Sequence, residues 1–162
     1  MVFRKLAKRS RSHERGAAVL EAAVVLPVIL ILMGGIYDFG RAFATLSAAQ
    51  KSMRGSVRYL TLQPFPFVCS NAARDNARKL ALYGNIAGSG NLLVSAWQSG
   101  DISVSLTDGN DAAITDCSSA PNIVKIAMSS DKVPYNSLMW GVVGLPSTIN
   151  MSVTHQERWI GQ

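Results

Sequence analysis

Few side chains in this sequence are placed to do chemistry. The two histidines are His13, inside a basic N-terminal stretch, and His155, which lies in an alternating segment beside Gln156 and Glu157. A lone strand histidine with no serine or cysteine partner at an arguable spacing is not a triad. Asp108-Gly109-Asn110-Asp111, with Asp116 nearby, has the acidic density of a calcium loop but not the spacing of one, and reads as a solvated turn. The glycine-rich stretch Gly84–Gly90 lacks the Lys-Ser/Thr that closes a phosphate loop. No catalytic residue, metal site or cofactor is therefore predicted. The residues that remain to be explained are a glutamate, Glu21, and two cysteines, Cys69 and Cys117.

Glu21 is the only ionisable side chain between Ala17 and Ile36. A carboxylate within a membrane helix costs a few kcal/mol on insertion scales, which makes it a functional candidate by default. One reading places it in the headgroup layer, five residues into the apolar run. The sharper reading uses Gly16, directly before Ala17. A cut between them would remove nearly all the basic charge and leave a free α-amino group at the head of an apolar helix. That amine could neutralise Glu21 of a neighbouring subunit, offsetting the cost of burying both groups.

The elements that must position these residues are written in charge and hydropathy. Of 162 residues, 48% are hydrophobic, and the net charge is +6. Residues 1–16 hold Arg4, Lys5, Lys8, Arg9, Arg11 and Arg15 against Glu14, a net +5, which leaves +1 for the rest of the chain. The basic charge is thus a tail rather than a surface, and nucleic-acid binding is not predicted. From Ala17 to Tyr37 there are 21 residues of almost unbroken apolar sequence. As a helix this run is about 30 Å long, the hydrocarbon thickness of a bilayer. Basic residues before it place the N-terminus in the cytoplasm and the remainder across the membrane. Both cysteines then fall on the oxidising side and read as one disulfide, against the alternative of two unrelated buried thiols.

Beyond the apolar run, Leu46, Ala49, Met53, Val57 and Leu60 recur at helical spacing, with Lys51, Arg54 and Arg58 on other faces. One long helix is expected from about residue 17 to 62, ended by Pro64 and Pro66. Pro27 lies inside it, either as a structural kink or as a segment that melts outside the bilayer. Ser70 is the expected N-cap of a second helix through Tyr83, stopped by Gly84, with Ala73, Ala77, Leu80 and Ala81 as its apolar face. Three half-buried strands are expected: around Ile102–Leu106, Val124–Met128 and Ile149–Val153. Residues 137–145 read as a short helix or loop. The fold class is α+β: a basic leader (1–16), a transmembrane and amphipathic stalk helix (17–62), and a small head (63–162) with a second helix and about three antiparallel strands.

The block Arg15-Gly16-Ala17-Ala18-Val19-Leu20-Glu21-Ala22-Ala23-Val24-Val25-Leu26-Pro27, followed by Gly35-Ile36-Tyr37-Asp38-Phe39-Gly40-Arg41, resembles the TadE-like pseudopilins of tight-adherence (Tad/Flp) type IV pilus systems. The strong resemblance covers residues 15–43. Pro134-Tyr135 and the closing strand through Arg158 resemble the family more loosely. Residue 22 is Ala where many members carry Phe, and Asp38 stands where Glu is commoner. The resemblance implies a pilin-like fold and cleavage by a membrane aspartyl prepilin peptidase, with Gly16, Ala17 and Glu21 as processing and assembly positions. Its implied partners are that peptidase, other pilins or pseudopilins, the inner-membrane assembly platform and membrane lipid. The length beyond the apolar helix suits a minor, head-bearing subunit with a pilus-biogenesis role and no enzymatic one. Two other readings use the same features. A signal-anchored extracytoplasmic binding protein would keep residues 1–16, and a secreted protein would be cut after Ala42-Phe43-Ala44. Trp97, Trp140 and Trp159 either complete the head's core or form a binding patch.

Overall fold

The computed structural model describes residues 3–142 and 144–160. The side chains of residues 3–15 lie outside it, and so therefore do the charges of the basic leader. Helix α1 (Phe3–Thr61) is followed by the one-turn α2 (Phe65–Val68), then α3 (Asn71–Tyr83) and a 3-10 turn at Ser99–Asp101. Strands β1 (Ser103–Thr107), β2 (Lys125–Asn136) and β3 (Thr148–Arg158) form an antiparallel sheet in the order β1-β2-β3. The α+β expectation holds, with its long helix, second helix and three antiparallel strands. By contact density the chain divides into two units, residues 1–40 and 41–162.

Residues 1–40 are helical from Phe3 onward, and the helix runs through Pro27 without interruption. Its large apolar side chains are uncovered: Leu30 is 61% exposed and Ile36 75%.

Residues 41–162 hold the core. On α1, Ala49, Met53, Val57 and Leu60 are all fully buried, the stripe that the helical spacing predicts. Lys51, Arg54 and Arg58 of the same helix are exposed. Two prolines stop α1 and start α2: Pro64 is its N-cap and Pro66 occupies its first turn, where a missing N–H costs no helical hydrogen bond. This one-turn helix was not expected. It arises because the same residue type that cannot continue one helix is preorganised to begin another.

Helix α3 has the caps its sequence announces. The Ser70 hydroxyl accepts from Ala73 N at 3.2 Å, and Gly84, at φ 73°, donates its N–H to Leu80 O at 2.9 Å. Ala73, Ala77 and Ala81, four apart, are fully buried, so the helix backbone approaches the core closely. Leu82 is also buried, whereas Leu80, expected on the apolar face, is only half-buried.

The sheet presents Leu106, Ile126, Met128, Val133 and Val153 to the same core. β2 is longer than its alternating stretch suggests. Its buried positions are even-numbered through Ser130 and odd-numbered from Val133, and a register shift falls between the two. A β-bulge there carries the exposed Asp131 and Lys132 and re-phases the strand, which hides the period-2 pattern from the sequence. Beyond Ser129, β2 is paired with β3 alone, and Pro134 sits in that edge segment, where a proline is tolerated.

Met53 is the largest fully buried side chain on α1. Met53→Ala should lower the head's unfolding free energy by about 2–5 kcal/mol, whereas Lys51→Ala on the exposed face should change it by less than about 0.5 kcal/mol. Urea titration of the full chain in mild detergent, followed by tryptophan emission, measures both.

Candidate functional site

The expected processing and assembly residues all lie on α1. Gly16, Ala17 and Glu21 are exposed. Ala17 and Glu21 are four residues apart, so they share one helix face and stand one turn from each other. Around Gly16 there is open space where a Cβ would stand, so Gly16→Ala introduces no clash. From Val19 through Ile36, twelve large apolar side chains are exposed. Covering each contributes about 1.5 kcal/mol or more, so this surface represents on the order of 20 kcal/mol that water alone leaves unclaimed. Apart from Glu21, nothing charged interrupts it. The helix is long and apolar enough to cross a membrane.

The cysteines meet. Cys69, at the end of α2, is disulfide-bonded to Cys117 with their Cα atoms 6.0 Å apart, closing a span of 48 residues. The bond ties the α2–α3 junction to the long connection between β1 and β2. That connection is otherwise held mainly by local turns. The Asp108 carboxylate accepts from Asn110 N at 2.8 Å and Ala112 N at 2.9 Å, and Lys125 Nζ stands 2.7 Å from Asp111. The Ser118 backbone amide, 2.9 Å away, and its hydroxyl hold the exposed Asp116 carboxyl below its ordinary range. These carboxylates thus serve backbone amides and a lysine. Among the described residues no group of three or more His, Cys, Asp or Glu could hold a metal.

The other candidates resolve into structural roles. The Gly84–Gly90 loop is stapled by Asn85, which accepts from Gly88 N at 2.9 Å and donates to Ser89 O at 2.8 Å. His155 Nε2 stands 3.0 Å from Glu157 Oε1, two residues along the same face of β3. Trp97 is almost fully buried and donates from Nε1 to the buried Ser130 hydroxyl at 3.0 Å, which fixes the β2 bulge from the core side. Trp159 donates to Gln63 O at 2.9 Å and packs edge-on against Phe65. Trp140 is the exception, exposed in the loop between β2 and β3 together with Leu138, Val142 and Leu145. The sequence signal for that loop, overlooked in a search for charged constellations, is that residues 133–154 contain no Asp, Glu, Lys or Arg.

Residues 16–58 match the family model of the TadE-like proteins. This segment is TadE-like. The match begins at Gly16 and runs through the exposed apolar helix into the buried stripe of the head, ending one turn before α1 does. No curated protein and no solved structure gives a significant match to the chain. The match covers 43 of the 162 residues, and the family it points to is one of Tad pilus systems, not a family of enzymes.

The structural bonds of the head give two expected outcomes. Replacing both cysteines, Cys69→Ser with Cys117→Ser, should cost about 4 kcal/mol in the chain-entropy estimate. Ser130→Ala should cost about 1–3 kcal/mol by leaving the Trp97 indole N–H buried and unpaired. Urea midpoints of each variant under non-reducing conditions, with Trp97 as the reporter, measure these losses.

Proposed function

We propose that the chain is a minor pilin or pseudopilin that takes part in Tad/Flp pilus assembly and surface adherence. The observation that carries this reading is the family match beginning at Gly16, joined to an apolar helix left uncovered among the described residues. In this reading residues 1–16 are a cytoplasmic leader. Residues 17–62 are a membrane-spanning and amphipathic helix, and residues 63–162 complete an extracytoplasmic head. A single-pass orientation with the N-terminus in the cytoplasm follows from the net +5 of the leader, and it places Cys69 and Cys117 in the oxidising compartment.

A prepilin peptidase cuts between Gly16 and Ala17. The new α-amino group of one subunit then pairs with Glu21 of the next. In a bundle of apolar helices each of those charges alone is costly, and together they offset one another. Glu21 therefore selects subunits in register rather than contributing large net stability. The proposed partners are the peptidase, other pilins or pseudopilins, the assembly platform of the inner membrane and the lipid around the helix. The subunit has no catalytic task. Its helix supplies assembly and its head supplies a surface.

Co-expression with and without a prepilin peptidase, followed by intact mass and N-terminal sequencing, tests the reading. The expected result is a peptidase-dependent start at Ala17, abolished by Gly16→Ala. Glu21→Ala should leave the cut intact and remove co-purification with other pilus subunits. A retained leader in the presence of an active peptidase refutes the proposal in favour of a signal-anchored binding protein. A start at Thr45 refutes it in favour of a secreted one.

A further inference from the structure

The head has two ends along the direction of its strands, and internal contacts identify them. At one end Trp159, just past β3, donates to Gln63 O, and its backbone N–H bonds to Val124 O at 2.8 Å, so the start of β2 lies beside the end of α1. At the other end Arg41 and Thr45 line a small cavity of about 200 Å³ together with Pro134, Tyr135 and Asn136. Thus β2 runs back along α1, from the level of Gln63 to the level of Arg41. The lengths agree: β2 spans about 36 Å and residues 41–61 of a helix about 30 Å. Arg41 is bonded to Gly40, where the exposed apolar run ends.

The loop between β2 and β3 leaves the sheet at this end. Asn136 and Thr148 form the last rung, and Ser137 N bonds to Ser147 O at 2.7 Å. Beyond them the chain is not slack. Trp140 N bonds to the Ser137 hydroxyl, Val142 N to Met139 O and Leu145 N to Trp140 O at 3.0, 3.0 and 2.9 Å. From this hydrogen-bonded frame Leu138, Trp140, Val142 and Leu145 project outward, with exposures of 59%, 41%, 73% and 52%. A cluster of this kind on a water-facing loop is costly. Its composition, an exposed tryptophan among aliphatic side chains in a loop with no charged residue of its own, suits the boundary between headgroups and acyl chains. Internal bonds from the Trp140, Val142 and Leu145 amides lower the cost of taking those groups out of water. The exposed Arg41 beside Asn136 is of the type that keeps its charge among lipid headgroups while its stem stays apolar.

We propose that the β2–β3 loop is a membrane-interface anchor, inserting Leu138, Trp140, Val142 and Leu145 into the bilayer that the N-terminal helix crosses. This rests on the reading of residues 17–40 as a membrane span. It adds a second attachment, so the bilayer fixes the tilt of the head as well as its distance.

The full chain, reconstituted in phosphatidylcholine vesicles containing a minor share of phosphatidylglycerol, tests it through lipid quenching. Trp97, Trp140 and Trp159 are the only tryptophans, and the apolar helix has none. Phosphatidylcholine brominated near the headgroup end of its acyl chains should quench part of the emission, and Trp140→Phe should remove that quenching. Val142→Asp should also abolish it while leaving the near-ultraviolet circular dichroism of the folded head unchanged. Resistance of the chain to alkaline carbonate extraction reports separately on the span. An extractable chain overturns the span and this proposal together. A resistant chain whose Trp140 is not quenched, or whose quenching survives Trp140→Phe, overturns the loop anchor alone. Shielding of Trp140 only after another pilus subunit is added also overturns it, by assigning the patch to a protein.

Discussion

The rest of the protein depends on one helix that serves two solvents. From Ala17 to Tyr37 α1 is apolar around its whole circumference but for Glu21, and from Leu46 its apolar residues narrow to a stripe. No break separates the regimes: α1 is one element from Phe3 to Thr61 even though Gly34, Gly35 and Gly40 each cost about 1 kcal/mol relative to Ala within a helix. The consequence is structural economy of a specific kind. The stripe Ala49, Met53, Val57 and Leu60 is the spine on which the head condenses, so the head has no complete core without the last third of the helix. A cut before Ala17 leaves that spine whole. The proposed processing and the folding of the head would thereby be separable on the same element.

Around that spine the head is fixed by a few long-range bonds, each placed where local structure changes course. The Cys69–Cys117 bond holds the connection that leaves β1. The Trp97 indole meets Ser130 where β2 shifts phase, and Trp159 closes the last strand onto the turn after α1. Trp97 is therefore a core residue and Trp159 a half-buried one packed against the core, both with satisfied N–H groups, the usual condition of a buried indole. Their satisfaction isolates Trp140 as the exposed tryptophan.

The helices and their caps were legible because their signals are local. Ser70, Gly84 and the spacing of Ala49, Met53, Val57 and Leu60 each act within a few residues, and no tertiary contact was needed to read them. The cysteine pairing was legible from compartment logic, once the apolar run had assigned a side of the membrane. What the sequence concealed depends on pairing between distant segments. The outer half of β2 lost its alternation at the Ser130–Val133 bulge and carried Pro134, so no strand was expected there. The short α2 was hidden because prolines announce an end more loudly than a beginning. Of the candidate site, Gly16, Ala17 and Glu21 were visible as a spacing, but the exposed apolar loop between β2 and β3 was not. Its signal is an absence of charge, and its meaning appears only when β2 is found to run back to Arg41.

An exposed apolar loop on a free domain invites aggregation, yet the same loop on a tethered domain is held at its target. A span of residues 17–40 would keep the head within a short distance of the bilayer at all times, so the loop's local lipid concentration is set by connection rather than by diffusion. Weak interfacial affinity from four side chains is then sufficient to orient the head, and weak enough to be given up. If assembly withdraws the helix from lipid into a bundle of neighbours, the loop loses its surface at the same moment that the apolar run loses its solvent. Both apolar surfaces would require new cover together. The cover available to the run is the run of another subunit.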